Sequence, residues 1–423
     1  MNKNITHWFK LITITGSAQV IVQGLGFVCG ILIIRLLPVE EYALYILANT
    51  MLGTMTVLAD GGISQGVMAE GGKVWKDKDK LGIVLATGLD LRRKFAIGSL
   101  IIAIPILLYL LIDNGASLIT SILIALSVIP AFYASLSDTL LQIVPKLHQN
   151  IKPLQRNQVE VSIVRLLILF LTLFIFPISI IAILANGFPR IYGNIKLRKI
   201  TKEHSNIASE PSPEVRKNIL KVVKRIMPGS IYYAISGQLI IWLVSIFGNT
   251  TNIAQIGALG RFSMLFALIQ TICHFLIIPK FSIFNSTSKN LRLHFFKFQL
   301  LLIVLFSLIV MISYFFSDYM LWILGDKYFG LNYELLLVLI SSAIVTISGI
   351  NFNIGASKGW PSNSIILILG NIIFIIIGLL TFDVSNFINL LKFNIFIGLF
   401  PLIFHTTNFI YMTFQNKNFK QTS

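Results

Sequence analysis

The 423-residue chain is 55% hydrophobic and only 12% charged, with a mean hydropathy of +0.82 and a formal net charge of +17. That apolar excess excludes a soluble enzyme and points to an integral membrane protein. The basic residues are spread over short segments instead of forming one patch, so anionic headgroups and membrane topology account for them better than nucleic acid does.

Twelve apolar segments follow one another at about 11–37, 42–68, 95–112, 117–140, 158–176, 177–194, 227–248, 252–279, 298–317, 331–356, 362–382 and 390–412. Each is close to the roughly 20 residues that a helix needs to cross a bilayer. Of the 34 Lys and Arg residues, 28 fall in alternate gaps. They include Lys3 and Lys10, the run from Lys73 to Lys94, Lys146 to Arg156, Lys196 to Arg225, Lys280 to Lys297, Lys358, Lys417 and Lys420. The opposite gaps hold Arg35, Lys327 and Lys392 against seven acids, among them Glu40, Glu41, Asp113 and Asp383. By the positive-inside rule both termini are expected to be cytoplasmic, in a multi-pass protein of a plasma membrane. The first segment carries Thr13, Thr15, Ser17, Gln19 and Gln23, so it is expected to stay as a span and not to be cleaved as a signal.

In chain order, the first span carries Gly16, Gln19, Gln23, Gly26 and Gly30 on one face. The glycines suggest close helix packing, while Gln19 and Gln23 are either interhelical glue or the wall of a polar cavity. The second span repeats the pattern with Asn49, Gly53, Thr56 and Asp60. Asp60 reads either as a salt-bridge or capping residue beside Gly61 and Gly62, or as a proton or cation site or a latch between states. Gly71 to Lys94 reads as a surface helix ahead of the third span. At the inner end of the fourth span sits Asp138, and the fifth opens with Glu160 and Arg165. An Asp138–Arg165 ion pair is expected, static or broken and remade in a conformational cycle. Arg190 in the sixth span is expected to snorkel toward the interface.

The polar break between about 195 and 225 divides the chain into residues 1–200, a linker at 201–226 and residues 227–423. Ser212 and Pro213 mark a helix start. Beyond them Ile219, Leu220, Val223 and Ile226 oppose Arg216, Lys217, Lys221, Lys224 and Arg225, as on an amphipathic helix lying on the inner leaflet. The eighth span carries Gly260, Ser263, Ala267, Gln270 and His274 as one stripe beside Arg261. Arg261 either contacts an anionic substrate or snorkels outward, and His274 is a helix contact or a proton relay. Cys29 and Cys273 read as small apolar fillers. No nucleotide-binding loop, catalytic cluster or metal-ligand spacing is present, so the sequence implies no cofactor, no metal and no enzyme activity, leaving transport.

Two motifs carry a resemblance. The first is Ile34-Arg35-Leu36-Leu37-Pro38-Val39-Glu40-Glu41-Tyr42-Ala43-Leu44-Tyr45, continued by Leu58-Ala59-Asp60-Gly61-Gly62-Ile63; the second is Trp322-Ile323-Leu324-Gly325-Asp326-Lys327-Tyr328. Both resemble the signatures of the polysaccharide-export flippases, the O-antigen and capsule repeat-unit translocases, within the wider superfamily of multidrug and oligosaccharidyl-lipid exporters. The sequence departs from that pattern at Ala43, where glycine is usual, and at the second glycine after Asp60. The resemblance implies an all-α membrane fold of twelve transmembrane helices in two six-helix bundles around a central cavity, in the bacterial inner membrane. It implies a flippase that moves undecaprenyl-diphosphate-linked oligosaccharide outward by alternating access. The substrate-cavity residues would be Gln19, Gln23, Asn49, Arg165, Arg261 and Gln270. Asp60, Asp138, Glu160 and His274 would serve in coupling to a proton or sodium gradient or in gating, with Asp60 the first choice for coupling. Lipid-linked oligosaccharide, anionic inner-leaflet lipids and glycan polymerase machinery are the implied partners. A multidrug or metabolite exporter of the same superfamily is the first alternative, and a polytopic glycan polymerase or acyltransferase the second.

Overall fold

In a computed structural model, residues 3–206, 208–278, 281, 288–358, 360 and 362–415 are described. Lys280, Lys417 and Lys420, which the charge pattern places on the cytoplasmic side, lie outside the described residues. Among those described, all regular structure is helical, as a bilayer demands of backbone groups that cannot be hydrated. The chain divides into two units, Met1–Ala254 and Gln255–Ser423.

The first unit contains α1 (Lys3–Leu36), α2 (Val39–Asp60), α3 (Ile63–Val74), α4 (Lys78–Asp113), α5 (Leu118–Leu141), α6 (Ile143–Leu147), α7 (Ile151–Leu173), α8 (Ser179–Lys202), α9 (Pro213–Ser236), α10 (Leu239–Phe247) and the start of α11 (Thr250–Leu259). In the second, a 3₁₀ turn at Gly260–Ser263 leads into α12 (Met264–Ile272) and a π-helical turn at Cys273–Ile277. There follow α13 (Ser288–Phe315), α14 (Ser317–Leu324), α15 (Asn332–Ser357), α16 (Ser364–Thr381) and α17 (Phe387–Gln415). Among the described residues nine helices are long and apolar enough to cross a membrane, or ten if the pair α9–α10, bent by 42°, is one span. Helices α7 and α8 have the length, at 23 and 24 residues, but are diluted by charged side chains such as Glu160, Arg165, Arg190 and Lys196. With these two the helices reach the twelve expected spans.

Three boundaries differ from the sequence reading, each for a local reason. The second span ends at Asp60, not near residue 68, because Gly61 (φ 49°) and Gly62 (φ 100°) take left-handed backbone and break the helix. The helix of the third span starts at Lys78, so the surface helix expected ahead of it and the span near 95–112 form one continuous helix, with Arg92 and Arg93 at the inner end of the span. Its start is fixed by Asp77, whose carboxylate accepts from the amides of Asp79 (3.2 Å) and Lys80 (3.1 Å). Those bonds, the Lys80 amide first, hold the Asp77 carboxyl below the usual range. The fifth span begins at Ile151, which pushes Arg165 well into the helix.

Helix α9 has the amphipathic spacing expected, but its apolar face meets protein and not a leaflet. Ile219 and Val223 are buried in a cluster with Ile63 and Val67 of α3 and Leu81, Val84 and Leu85 of α4. Elsewhere in the first unit, small residues let helices approach closely. A Cβ on Gly193 of α8 would lie 2.4 Å from Val161 of α7, and Asn157 of α7 donates to the Gly193 carbonyl at 3.1 Å. Gly30 is buried as packing requires, whereas Gly26 of the same stripe faces open space. Large apolar side chains such as Ile97 and Ile101 of α4 point outward, as they must where lipid is the solvent.

Both signature motifs build turns. Pro38 precedes α2, Tyr42 and Tyr45 are buried, and Glu41 reaches across to accept from the Ser179 amide at 2.7 Å. A carboxylate is thereby set against the N-terminus of α8, where its charge is favoured. In the second motif Gly325 takes φ 111°, closed to L side chains, between the buried Leu324 and Tyr328. Within the second unit α15 and α17 pack extensively, and Phe295 stacks on Phe409 with ring centroids 4.2 Å apart. Gln299, Asn351 and Thr406 form a buried ladder from α13 through α15 to α17, with bonds of 2.5 and 2.9 Å.

Candidate functional site

The polar residues of the first unit gather into two connected groups. The first lies at the α2–α3 break. The paired left-handed glycines turn the chain back so that Ser64 donates to Asp60 through its amide (3.2 Å) and its hydroxyl (2.5 Å). Arg92 of α4, 1% exposed, places its guanidinium 3.3 Å from the same carboxylate. It also donates to Ser64 (3.4 Å) and to the Thr139 hydroxyl of α5. Asp60 is therefore ion-paired, and its side chain stays 21% exposed.

The expected Asp138–Arg165 pair does not form. Asp138 instead accepts from Asn194 of α8 at 2.6 Å, and the same amide group reaches Ser137 (2.6 Å) and the Ala134 carbonyl (3.3 Å). The helix register explains it, since α7 starts at Ile151 and carries Arg165 away from the inner end of α5. On its other side Asn194 accepts from Arg198 at 3.1 Å. Glu160 is likewise occupied, by Arg156 at 2.9 Å and by Lys196 of α8.

The second group lies deeper. Arg165 is about 21 Å along α7 and Arg190 about 17 Å along α8, near mid-membrane by the helical rise. Neither forms an ion pair with a described residue, and the Arg165 Nε is buried without a hydrogen-bond partner. Arg190 is exposed, which is compatible with the expected snorkelling, and lies within electrostatic reach of Arg165, Asp138 and Tyr45. Beside it Asn186 donates to the Tyr45 hydroxyl at 2.9 Å and leaves its own buried carbonyl oxygen without a partner. Two cations so placed, bordered by unused polar atoms, make an environment for an anion.

The remaining candidates are scattered. Gln19 donates to Gln155 (3.2 Å) and Gln158 (2.9 Å), tying α1 to α7. Gln23 is half-buried on the same helix and Asn49 is exposed on α2. In the second unit Arg261 lies in the 3₁₀ turn, and Ser263 shares a 2.6 Å hydrogen bond with Ser342 of α15. The Gln270 amide covers Gly349, where a Cβ would come within 2.9 Å. His274 lies in the π-helical turn.

Sequence reading placed Arg92 in a basic stretch at the inner surface but not beside Asp60, missed Asn194, Ser64 and Thr139, and underrated Arg190. A signal was available on α8. Asn186, Arg190, Asn194 and Arg198 recur every four residues, which winds one polar stripe along that helix.

No family model and no curated protein matches the sequence. Solved structures do match in fold. An inward-facing multidrug resistance MATE family transporter of the MOP superfamily superposes with a TM-score of 0.72 at 14% identity, over 93% of this chain and 96% of that one. An outward-facing structure of such a transporter gives 0.66 at 14% identity, over 98% and 97%. A MOP superfamily transporter from Pyrococcus furiosus, said to have a binding pocket of reversed polarity that suggests a different function, gives 0.62 at 13% identity, over 98% and 97%. The chain is thus an all-α, multi-pass membrane protein with the fold of the MATE transporters, twelve transmembrane helices in two bundles.

Proposed function

We propose that the chain is a flippase for lipid-linked oligosaccharide, carrying a glycan on an undecaprenyl diphosphate from the cytoplasmic to the outer face of a bacterial inner membrane by alternating access. The observation that carries this reading is the unpaired cationic pair Arg165 and Arg190 at mid-membrane depth, next to the orphaned polar atoms of Arg165 and Asn186. A diphosphate needs such donors, whereas a cationic drug would be repelled by them. The two signature motifs support the same choice. The multidrug alternative rests on the transporters whose fold this chain shares.

In this reading Asp60 is the coupling group. Its carboxylate is held by Arg92 and Ser64 yet stays accessible, so protonation or cation binding would weaken the Arg92 contact and favour one of two states. The test is translocation of a fluorescent undecaprenyl-diphosphate oligosaccharide in proteoliposomes, with and without imposed proton or sodium gradients. Arg165→Gln combined with Arg190→Gln is expected to reduce translocation at least about tenfold, as loss of one or two charge-assisted contacts would. Asp60→Asn is expected to leave a basal rate that no longer responds to the gradient. Unchanged lipid translocation together with gradient-driven efflux of an organic cation would transfer the assignment to the multidrug reading.

A further inference from the structure

A separate basic recess opens on the flank of the first unit, between α4, α5 and α8, lined by Leu89, Arg92, Arg93, Tyr133, Ser137 and Arg198. Three arginines line it, and no acidic residue belongs to the lining. The neighbouring acids are already engaged. Asp60 pairs with Arg92, and Asp90 pairs with Lys94 (3.1 Å) and Arg216 (2.6 Å). Asp138, behind Ser137, accepts from Asn194 and lies within electrostatic reach of Arg92, Arg190 and Arg198, so one carboxylate is shared among three guanidiniums. Arg93 and Arg198 form no ion pair with a described residue, and the Arg92 Nε is buried without a hydrogen-bond partner.

Depth identifies the level of the recess. Arg93 is about 30 Å along α4 from Asp113, Arg198 about 28 Å along α8 from Ser179, and Ser137 about 28 Å along α5 from Leu118. A hydrocarbon core of about 30 Å counted from the acidic ends therefore finishes where these three residues sit. Tyr133, 59% exposed, lies about one turn nearer the membrane centre, with its ring against lipid and its hydroxyl within reach of the boundary. Ile97, one turn nearer the membrane centre than Arg93, is 60% exposed on the same helix, so the recess is continuous with a lipid-facing surface.

We propose that this recess binds the phosphate of an anionic membrane lipid from the basic-side leaflet, its acyl chains lying along Ile97 and Tyr133. Arg93 and Arg198 supply paired donors to the phosphate oxygens, and the Ser137 hydroxyl and the Arg92 guanidinium form the floor. A lipid seated here touches Arg198, which holds Asn194 and through it Asp138, so occupancy favours the arrangement of α5 and α8 seen in the structure. The site stands independently of the transported substrate.

The test is native mass spectrometry of the full chain, released from bilayers of phosphatidylcholine containing phosphatidylglycerol, with inorganic phosphate added in a parallel arm. One phosphatidylglycerol per chain is expected to survive, at least tenfold more than phosphatidylcholine. Arg93→Gln with Arg198→Gln is expected to cut its retention tenfold, and lysine at both positions to restore part of it. Lys199→Gln with Lys202→Gln, at the same end of α8, is expected to change nothing. Because Arg93 is exposed, Arg93→Gln alone gives the same direction if the double variant fails to fold. Equal retention of the two lipids, undiminished retention in the glutamine variants, or equal loss in the lysine control would overturn the proposal. Displacement of the lipid by millimolar inorganic phosphate would overturn the lipid assignment in favour of a soluble phosphate.

Discussion

Arg92 is the residue on which the inner end of the first unit depends most. Its guanidinium, 1% exposed, joins α4 to Asp60 at the end of α2, to Ser64 on α3 and to Thr139 on α5. Replacing it with methionine keeps the stem's bulk but leaves a partly buried carboxylate without its cation, a loss of about 3 kcal/mol. Arg92→Met is expected to melt well below the parent in detergent, while Asp60→Asn, whose amide oxygen still accepts from Ser64, costs less. The double variant should cost less than the two losses combined, because the pair fails as a unit. Asp60 was legible in the sequence because a carboxylate in an apolar run is conspicuous. The Arg92 contacts were not, since the basic run reads as a surface helix separate from the span, and only tertiary packing of the continuous helix brings Arg92 to Asp60 and Thr139. Arg165 and Arg190 were visible as charges, but their depth depended on helix starts that cannot be read to within a turn.

At the scale of elements, the α2–α3 break determines whether Asp60 and Ser64 meet. Gly62 holds φ 100°, and a Cβ there would come within 2.9 Å of the Ile226 side chain on α9. Gly62→Ala meets both a backbone strain and a clash with a branched residue, together about 2 kcal/mol or more. It is expected to lower thermal stability and to loosen α9 from α3, measured as faster amide hydrogen exchange over residues 219–226. Gly72→Ala, where a Cβ would meet open space, is expected to do neither. The same glycine pair shows how far periodicity carries. Long apolar runs identified the twelve membrane helices, whereas the short α3 was absorbed into its neighbours because its amphipathic face continues their pattern. The spacing of α9 correctly gave an apolar face. Nothing in one helix says whether that face will meet lipid or protein, and the partners Val67 and Leu85 lie more than a hundred residues away.

For the whole molecule, the charge alternation makes a claim that fold similarity at 14% identity does not test, because a fold can be inserted either way up. The basic ends of α4, α7 and α8 and the linker before α9 share one side of the first unit, and the acidic Asp113 turn lies at the other end of α4. Because positive charge resists translocation more strongly than negative charge resists retention, the basic side is expected in the cytoplasm. Single cysteines decide the matter once Cys29 and Cys273 are replaced. In spheroplasts, a membrane-impermeant maleimide is expected to label Ser117→Cys and Ser385→Cys, both exposed near acidic turns, and to spare Ala208→Cys until the membrane is permeabilised. Labelling of Ala208→Cys from outside would invert the protein. It would also place the Arg93–Arg198 recess in the outer leaflet and reverse the direction of transport proposed for a substrate at Arg165 and Arg190.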